Sequence, residues 1–349
     1  MNELLFVSIL IPCRNEAKFI GMCIDSILAN DYPRDRLEVL VVDGQSEDET
    51  RPIVDAYVRQ HAFIRLLDNP KRITPAGLNI GIARAKGDIL IRMDAHARCE
   101  KDYISRSVER LYESAADNVG GIIITVPQED SLIGWAIASS VSHRFGVGHS
   151  FFRVHTSEPR WVDTVFGGCY RREVFQKIGL FNEGLARGQD LELNRRLKKA
   201  GGRTLLAPDI VSYYYVRSDM KSFWVHNWRN GVWAILPFLY SDSIPVSWRH
   251  LVPLTFVLGL LGSAGLALVL PAGLWMLLGI GVTYAGANLA ASLHVAVKRR
   301  DIRYLVVMPL VFASLHLAYG LGSCWGVAKA LKHTVSRVGE KSNKLNQPC

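Results

Sequence analysis

The apolar positions of the first hundred residues come in short runs separated by helical patterns. Leu5 to Ile11 is a β-branched apolar run that ends at Pro12, which predicts a buried strand. Phe19 to Leu28 carries its apolar residues at helical spacing, and Leu37 to Val42 is a second buried strand stopped by Asp43-Gly44. A polar turn, Gln45 to Asp48, leads to a helix over Thr50 to Val58, then a strand over Ile64 to Leu67. A helix over Pro75 to Ala85 follows, with proline in its first turn. Ile89 to Met93 is a fourth strand, closed by Asp94. This rhythm predicts a parallel sheet wound with right-handed crossovers, an α/β fold whose ligands sit beyond the carboxyl ends of the strands.

Further along, a helix is expected over Lys101 to Ala115, a strand over Val119 to Val126 and a helix over Leu132 to Val141. Gly146 to Arg160 reads as an irregular loop. Thr164 to Tyr170 contains Gly167-Gly168, and helices are expected over Arg171 to Ile178 and Gln189 to Ala200, the latter stopped by Gly201-Gly202. Two short strands, Arg203 to Ala207 and Ile210 to Tyr215, come next.

From Leu251 the pattern changes. Leu251 to Leu270, Leu274 to Val297 and Leu305 to Ala328 are each long and apolar enough to cross a bilayer. Phe223 to Leu239, rich in tryptophan, reads either as an interfacial helix or as a core helix of the preceding domain. The domains expected are therefore 1–218 catalytic, 219–249 an amphipathic interfacial segment, 250–332 two to three transmembrane helices, and 333–349 a basic tail. Lys298, Arg299, Arg300 and Arg303 place the loop between the second and third segments on the cytosolic side. Three full spans put the basic tail on the opposite side. Either the third segment is re-entrant or interfacial, or the charge rule is broken.

Composition narrows the classes. The chain has 349 residues, is 49% hydrophobic and carries a net charge of +9. The basic residues gather beside apolar runs without an aromatic-interleaved stripe, so an anionic lipid surface rather than nucleic acid is the expected partner. Six scattered cysteines suit reduced thiols. The opening Met1-Asn2-Glu3 enters a strand at once, so no signal peptide is expected and the N-terminal domain is expected in the cytosol, on a cytoplasmic membrane.

The polar residues at the strand ends are Arg14-Asn15-Glu16, Asp43 and Asp94-Ala95-His96. A carboxylate with an imidazole two positions on can hold Mg²⁺ or Mn²⁺ against a diphosphate. Asp43 can accept hydrogen bonds from a base or ribose. Each acid also has a plain structural use as a helix or turn cap.

Three motifs, Pro12-Cys13-Arg14-Asn15-Glu16, Val42-Asp43-Gly44-Gln45-Ser46-Glu47-Asp48 and Met93-Asp94-Ala95-His96, resemble the ordered motifs of family 2 glycosyltransferases. Gly167-Gly168, Phe181-Asn182-Glu183 and Gln189 to Arg195 extend the resemblance, which runs over about Val7 to Trp233 and is strongest to enzymes of the succinoglycan type. It implies a GT-A fold, Rossmann-like with a mostly parallel sheet, followed by a helical membrane domain. It implies that Pro12, Arg14, Glu16, Asp43, Asp94 and Gly168 bind the donor, that Asp94 and His96 stand at the metal-binding D-x-D, and that Asp190 is the general base. Arg229, in His226 to Trp233, is similar to the arginine of the family's Gln-x-x-Arg segment near the diphosphate. An arginine meeting lipid headgroups is the alternative. The implied reaction is inverting, metal-dependent transfer from a nucleotide diphosphate sugar, UDP-linked by resemblance, to a polyprenyl-diphosphate-linked glycan in exopolysaccharide or related synthesis. Polyprenyl-phosphate sugar transferase, processive polysaccharide synthase and inactive membrane scaffold are the competing readings.

Overall fold

The computed structural model describes residues 5–239 and 248–345, with side chains to 332. Residues 240–247 of the expected interfacial segment, and the side chains of the basic tail, lie outside the described residues. The order of elements is β1 (Val7–Cys13), α1 (Ile20–Leu28), β2 (Leu37–Asp43), α2 (Thr50–Gln60), β3 (Ile64–Asp68), α3 (Thr74–Arg84), β4 (Ile89–Arg92), β5 (Ala97–Cys99) and α4 (Tyr103–Glu113). Then come β6 (Asn118–Pro127), α5 (Leu132–Ser140), α6 (Arg144–Val147), α7 (Phe151–Val154), β7 (Arg160–Val162), β8 (Cys169–Arg171), α8 (Arg172–Ile178), α9 (Gln189–Lys199) and β9 (Thr204–Val216). Four helices end the chain: α10 (Met220–Ile235), α11 (Val252–Ala267), α12 (Pro271–Arg299) and α13 (Arg303–Leu345).

Two compact units result. One comprises 1–126 with 150–215, the other 127–149 with 216–349. The expected catalytic stretch 1–218 thus contains a segment, 127–149, that packs with the C-terminal helices.

The first unit is built on one sheet in the order β3-β2-β1-β4-β8-β6-β9-β5, with β7 added beside β9. The four strands from β3 to β4 are parallel. Their side chains are almost wholly buried in β1, β2 and β4, which is why these strands read as unbroken apolar runs. Beyond β4 the sheet is mixed, with β8 antiparallel to both β4 and β6, and β9 antiparallel to β5 and β7. The two strands expected over Arg203 to Tyr215 are one strand, β9. Pro208 suggests a break, but β7 pairs only with Thr204 to Leu206 and β5 with Ser212 to Tyr214, so the proline sits between β7 and β5, while β6 is a third partner of β9. The loop expected over Gly146 to Arg160 contains the short helices α6 and α7 and enters β7.

Gly167 and Gly168 bring β8 against the end of β4. Both have positive φ, +70° and +107°. The Gly168 carbonyl accepts from the Arg92 N–H at 2.9 Å. A Cβ at Gly167 would stand 2.8 Å from the Arg92 carbonyl oxygen, and one at Gly168 2.6 Å from the Tyr170 ring. Only glycine meets both demands.

In the second unit α10 packs along α13. A Cβ on Gly231 would overlap the Tyr319 carbonyl, and one on Gly322 the Trp228 carbonyl, so small residues set the approach of the two helices. Ser323 donates its hydroxyl to the Gly231 carbonyl at 3.2 Å. Three helices, Trp248–Ala267, Pro271–Arg299 and Arg303–Lys332, are long and apolar enough to cross a membrane. Leu258, Leu261, Leu274, Trp275, Val282 and Val306 among others are exposed on them. The third is continuous through Pro309. All five described cysteines are free thiols.

Gly168→Ala is expected to lower the stability of the first unit by about 1–3 kcal/mol through overlap and backbone strain. Thermal unfolding checks this, and an unchanged midpoint contradicts it.

Candidate active site

The loops after β1 and β2 are stapled to each other. The Asn15 N–H donates to the Ser46 hydroxyl at 2.8 Å, and the Glu47 N–H to the Asn15 carbonyl oxygen Oδ1 at 2.8 Å. The Glu16 N–H donates to Thr50 Oγ1 at 2.7 Å. Asn15 and Gln45 both hold positive φ, 55° and 56°, without being glycine. Such backbone is costly and is kept where the surroundings over-determine it.

Asp43 is fully buried at the base of these loops. Its carboxylate accepts from Arg51 Nη1 at 2.8 Å, from the Ser46 hydroxyl and from the Ser46 N–H at 3.1 Å. Arg51 also reaches Asp68 at 2.7 Å. Both oxygens of Asp43 are therefore engaged by the protein, and the carboxylate organises the turn. Pro12 is half-buried at the end of β1, and Arg14 is exposed with Glu47 at 3.6 Å.

Glu16 and His96 meet. His96 Nδ1 lies 3.1 Å from Glu16 Oε1, and Nε2 lies 2.9 Å from the Tyr214 hydroxyl. Burial disfavours the imidazolium, but Tyr214, Glu16 and Asp94 outweigh it and hold the His96 pKa well above its ordinary value. Arg153 lies over the Tyr214 ring, 5.3 Å from its centroid, and has no carboxylate within ion-pair distance among the described residues. Burial lowers its pKa from the usual guanidinium value.

The sequence motifs omit the residue that ties Asp94 to Asp190. Arg92, the last residue of β4, is 7% exposed. Its Nη1 donates to Asp190 Oδ2 at 2.6 Å and its Nη2 to Asp94 Oδ1 at 2.7 Å. Burial works against its charge, and the two acids hold its pKa well above the ordinary value. One signal was available: an arginine inside the apolar strand Ile89-Leu90-Ile91 must find carboxylates. Asp190 is the second residue of α9, after Gly188 in the left-handed region. Burial raises its pKa to about 6, with Arg92 opposing and Asp94 adding to the rise. Its Oδ1 is buried and has no hydrogen-bond partner among the described residues.

The structure therefore joins Asp94, Asp190 and Arg92 in one group, joins Glu16, His96 and Tyr214 in a second, and sets Asp43 in a third. Gly168 supports the Arg92 backbone. Arg229 is exposed on α10, in the other unit.

The sequence profile of "Glycosyl transferase family 2" matches residues 8–179. Succinoglycan biosynthesis protein ExoA of Rhizobium meliloti is 31% identical over 320 residues, which cover 90% of this chain and 92% of ExoA. The chain belongs to glycosyl transferase family 2. It is an enzyme of that family, a glycosyltransferase. A dolichyl N-acetyl-alpha-D-glucosaminyl phosphate 3-beta-D-2,3-diacetamido-2,3-dideoxy-beta-D-glucuronosyltransferase of Methanococcus voltae is 29% identical over 333 residues, 93% of this chain and 98% of the relative. Among solved structures, a mannosyltransferase of Pyrobaculum calidifontis superposes with a TM-score of 0.57 at 21% identity, covering 93% of this chain and 88% of that one. That likeness shows the GT-A fold.

Arg92→Met leaves two largely buried carboxylates without a cation. It should cost about 3–5 kcal/mol of stability, most of it recovered when Asp94 and Asp190 are also changed to asparagine. Denaturant unfolding of the single and triple variants checks this, and equal destabilisation in both contradicts it.

Proposed function

We propose that this glycosyltransferase is inverting and metal-dependent, and moves a sugar from a nucleoside diphosphate to a lipid-linked acceptor at a membrane surface. The observation that carries the reading is the state of Asp190. One oxygen is anchored by Arg92, and the other is buried, unpartnered and on a carboxyl whose pKa is about 6. A base poised near neutrality with a vacant acceptor atom suits removal of a hydroxyl proton as that oxygen attacks the anomeric carbon. Asp94, held by the same guanidinium, marks the opposite, leaving-group end.

The donor set there fits a divalent cation. The second oxygen of Asp94 has no protein partner among the described residues. The His96 ring is oriented by Glu16, as metal-bound imidazoles are by a carboxylate on the far nitrogen. His96 must shed its proton and exchange Tyr214 to ligate. No group of three acidic, histidine or cysteine side chains gathers among the described residues, so a cation held by Asp94 and His96 would need phosphate oxygens as further ligands. A cation held by Asp94 and His96 would offset charge on the departing diphosphate, and the imidazole would favour manganese over magnesium. The mannosyltransferase of P. calidifontis was solved with GDP-mannose and Mn²⁺, which supports this reading. Arg153, a guanidinium without a carboxylate partner, is available to phosphate beside Tyr214.

The acceptor class is supported by the M. voltae relative, named for a dolichyl-phosphate-linked sugar, and by the three long apolar helices. Residues 1–218 serve as the catalytic domain facing the cytosol, and α10 as the element at the membrane surface, with 250–332 spanning.

A screen with UDP-glucose, UDP-N-acetylglucosamine and GDP-mannose, followed by mass analysis of the labelled lipid, tests this. Transfer to a lipid-linked glycan supports the acceptor assignment, transfer to lipid phosphate itself replaces it, and no nucleoside diphosphate release from any donor contradicts enzyme action on these donors. Asp94→Asn should abolish transfer together with Mn²⁺-dependent nucleotide affinity. Asp190→Asn should lower kcat by about 10²–10⁴ while leaving nucleotide affinity unchanged.

The pH dependence follows from the sign of the Asp190 shift. Only the ionised carboxylate accepts a proton, so kcat/KM should rise with pH through about 6 and fall below it. A profile flat from pH 5 to 7 contradicts the assignment.

A further inference from the structure

Asp94 and Asp190 come from elements far apart in the chain, the end of β4 and the start of α9. Asp190 is the second residue of α9, where the helical backbone sets the Cα–Cβ direction and leaves the χ1 rotamer open. The backbone alone therefore does not fix the direction of the Asp190 carboxylate. Among the described residues its hydrogen bonds run to Arg92 alone. The guanidinium spends its two terminal nitrogens on two different acids, and its Nε, buried, has no partner. This is a bridge, not the two-pronged grip of an arginine on one carboxylate. The arginine backbone is itself set by the Gly168 carbonyl at 2.9 Å.

We propose that Arg92 is a positioning residue of the transfer reaction: it pins Asp190 Oδ2 so that Oδ1 faces the acceptor hydroxyl, at a spacing fixed relative to Asp94. The proposal rests on Asp190 being the base. Arg92 touches neither donor nor acceptor and acts through the two acids. A planar fork is needed because two carboxylates must be held at once in fixed directions. A lysine is a point charge on a flexible stem and keeps the charge without the geometry.

The test uses the full-length protein in lipid nanodiscs, with whichever of UDP-glucose, UDP-N-acetylglucosamine or GDP-mannose the donor screen shows to be turned over. Arg92→Lys, Asp190→Asn and the double variant are compared by kcat, by KM for the donor and by melting temperature. Misplacing the base by an ångström should lower kcat of Arg92→Lys by about 10²-fold while donor KM moves less than about threefold. In the Asp190→Asn background the same lysine should lower kcat by less than about threefold, since there is no base left to misplace. An equal fractional loss in both backgrounds overturns the proposal, as does a near wild-type kcat for Arg92→Lys. A merely structural arginine gives that additive result, with a lowered melting temperature. Asp190→Asn turning over at the wild-type rate strikes the base assignment itself. A slow Asp190→Asn with additive lysine strikes the positioning role alone. Should Arg92→Lys not fold, Arg92→Gln with Asp190→Asn, where one carboxylate fewer needs a cation, is compared with Asp190→Asn. A further loss beyond about threefold then overturns the proposal, and a smaller one supports it.

Discussion

One buried guanidinium at the end of a parallel strand must neutralise two carboxylates, and much of the first unit is arranged around that demand. Arg92 sits where burial opposes its charge, so it is stable there only with acids in reach. Asp94 is supplied by the turn out of β4 and Asp190 by the first turn of α9. Two anions share one cation in a poorly solvated place, and burial raises the Asp190 pKa to about 6, with Arg92 opposing and the Asp94 charge adding to the rise. The glycine pair before β8 serves the same end, since a side chain at Gly167 would meet the Arg92 carbonyl and one at Gly168 the Tyr170 ring. Strand, glycines and helix start thus converge on one ionic bridge.

The parallel half of the sheet was legible because strands buried on both faces are written as continuous Val, Ile and Leu, with turn residues at their ends. The antiparallel half was less so. β5, β7 and β8 have three residues each, too few to show alternation. β9 runs through Pro208, a residue that usually ends a strand, because the proline falls between the stretches paired with β7 and with β5. Assignment of 127–149 to the helical unit depends on contacts such as Ala136 and Ile137 with Met308 and Phe312, which no local pattern announces.

At the site, motif order led to Asp94, His96, Glu16 and Asp190, and the structure joins them in two hydrogen-bonded groups. It also separates their circumstances. Asp43 has both oxygens engaged by Ser46 of its own loop and Arg51 of α2, whereas Asp190 keeps one oxygen without a partner among the described residues. Motif spacing cannot distinguish a satisfied carboxylate from a vacant one. Arg92 is hidden from motif reading for a related reason: within the apolar run Ile89-Leu90-Ile91 it looks like an interruption of the strand rather than its chemical purpose.

The proposed reaction requires donor and base to lie at opposite ends of the Arg92 bridge. The most direct measurement is a structure of the full-length protein with UDP or GDP and Mn²⁺. It should show the metal between the diphosphate and Asp94, with His96 turned from Tyr214 and Arg92 still holding Asp190. A nucleotide whose diphosphate lies away from Asp94, or one contacting the vacant oxygen of Asp190 directly, would contradict it.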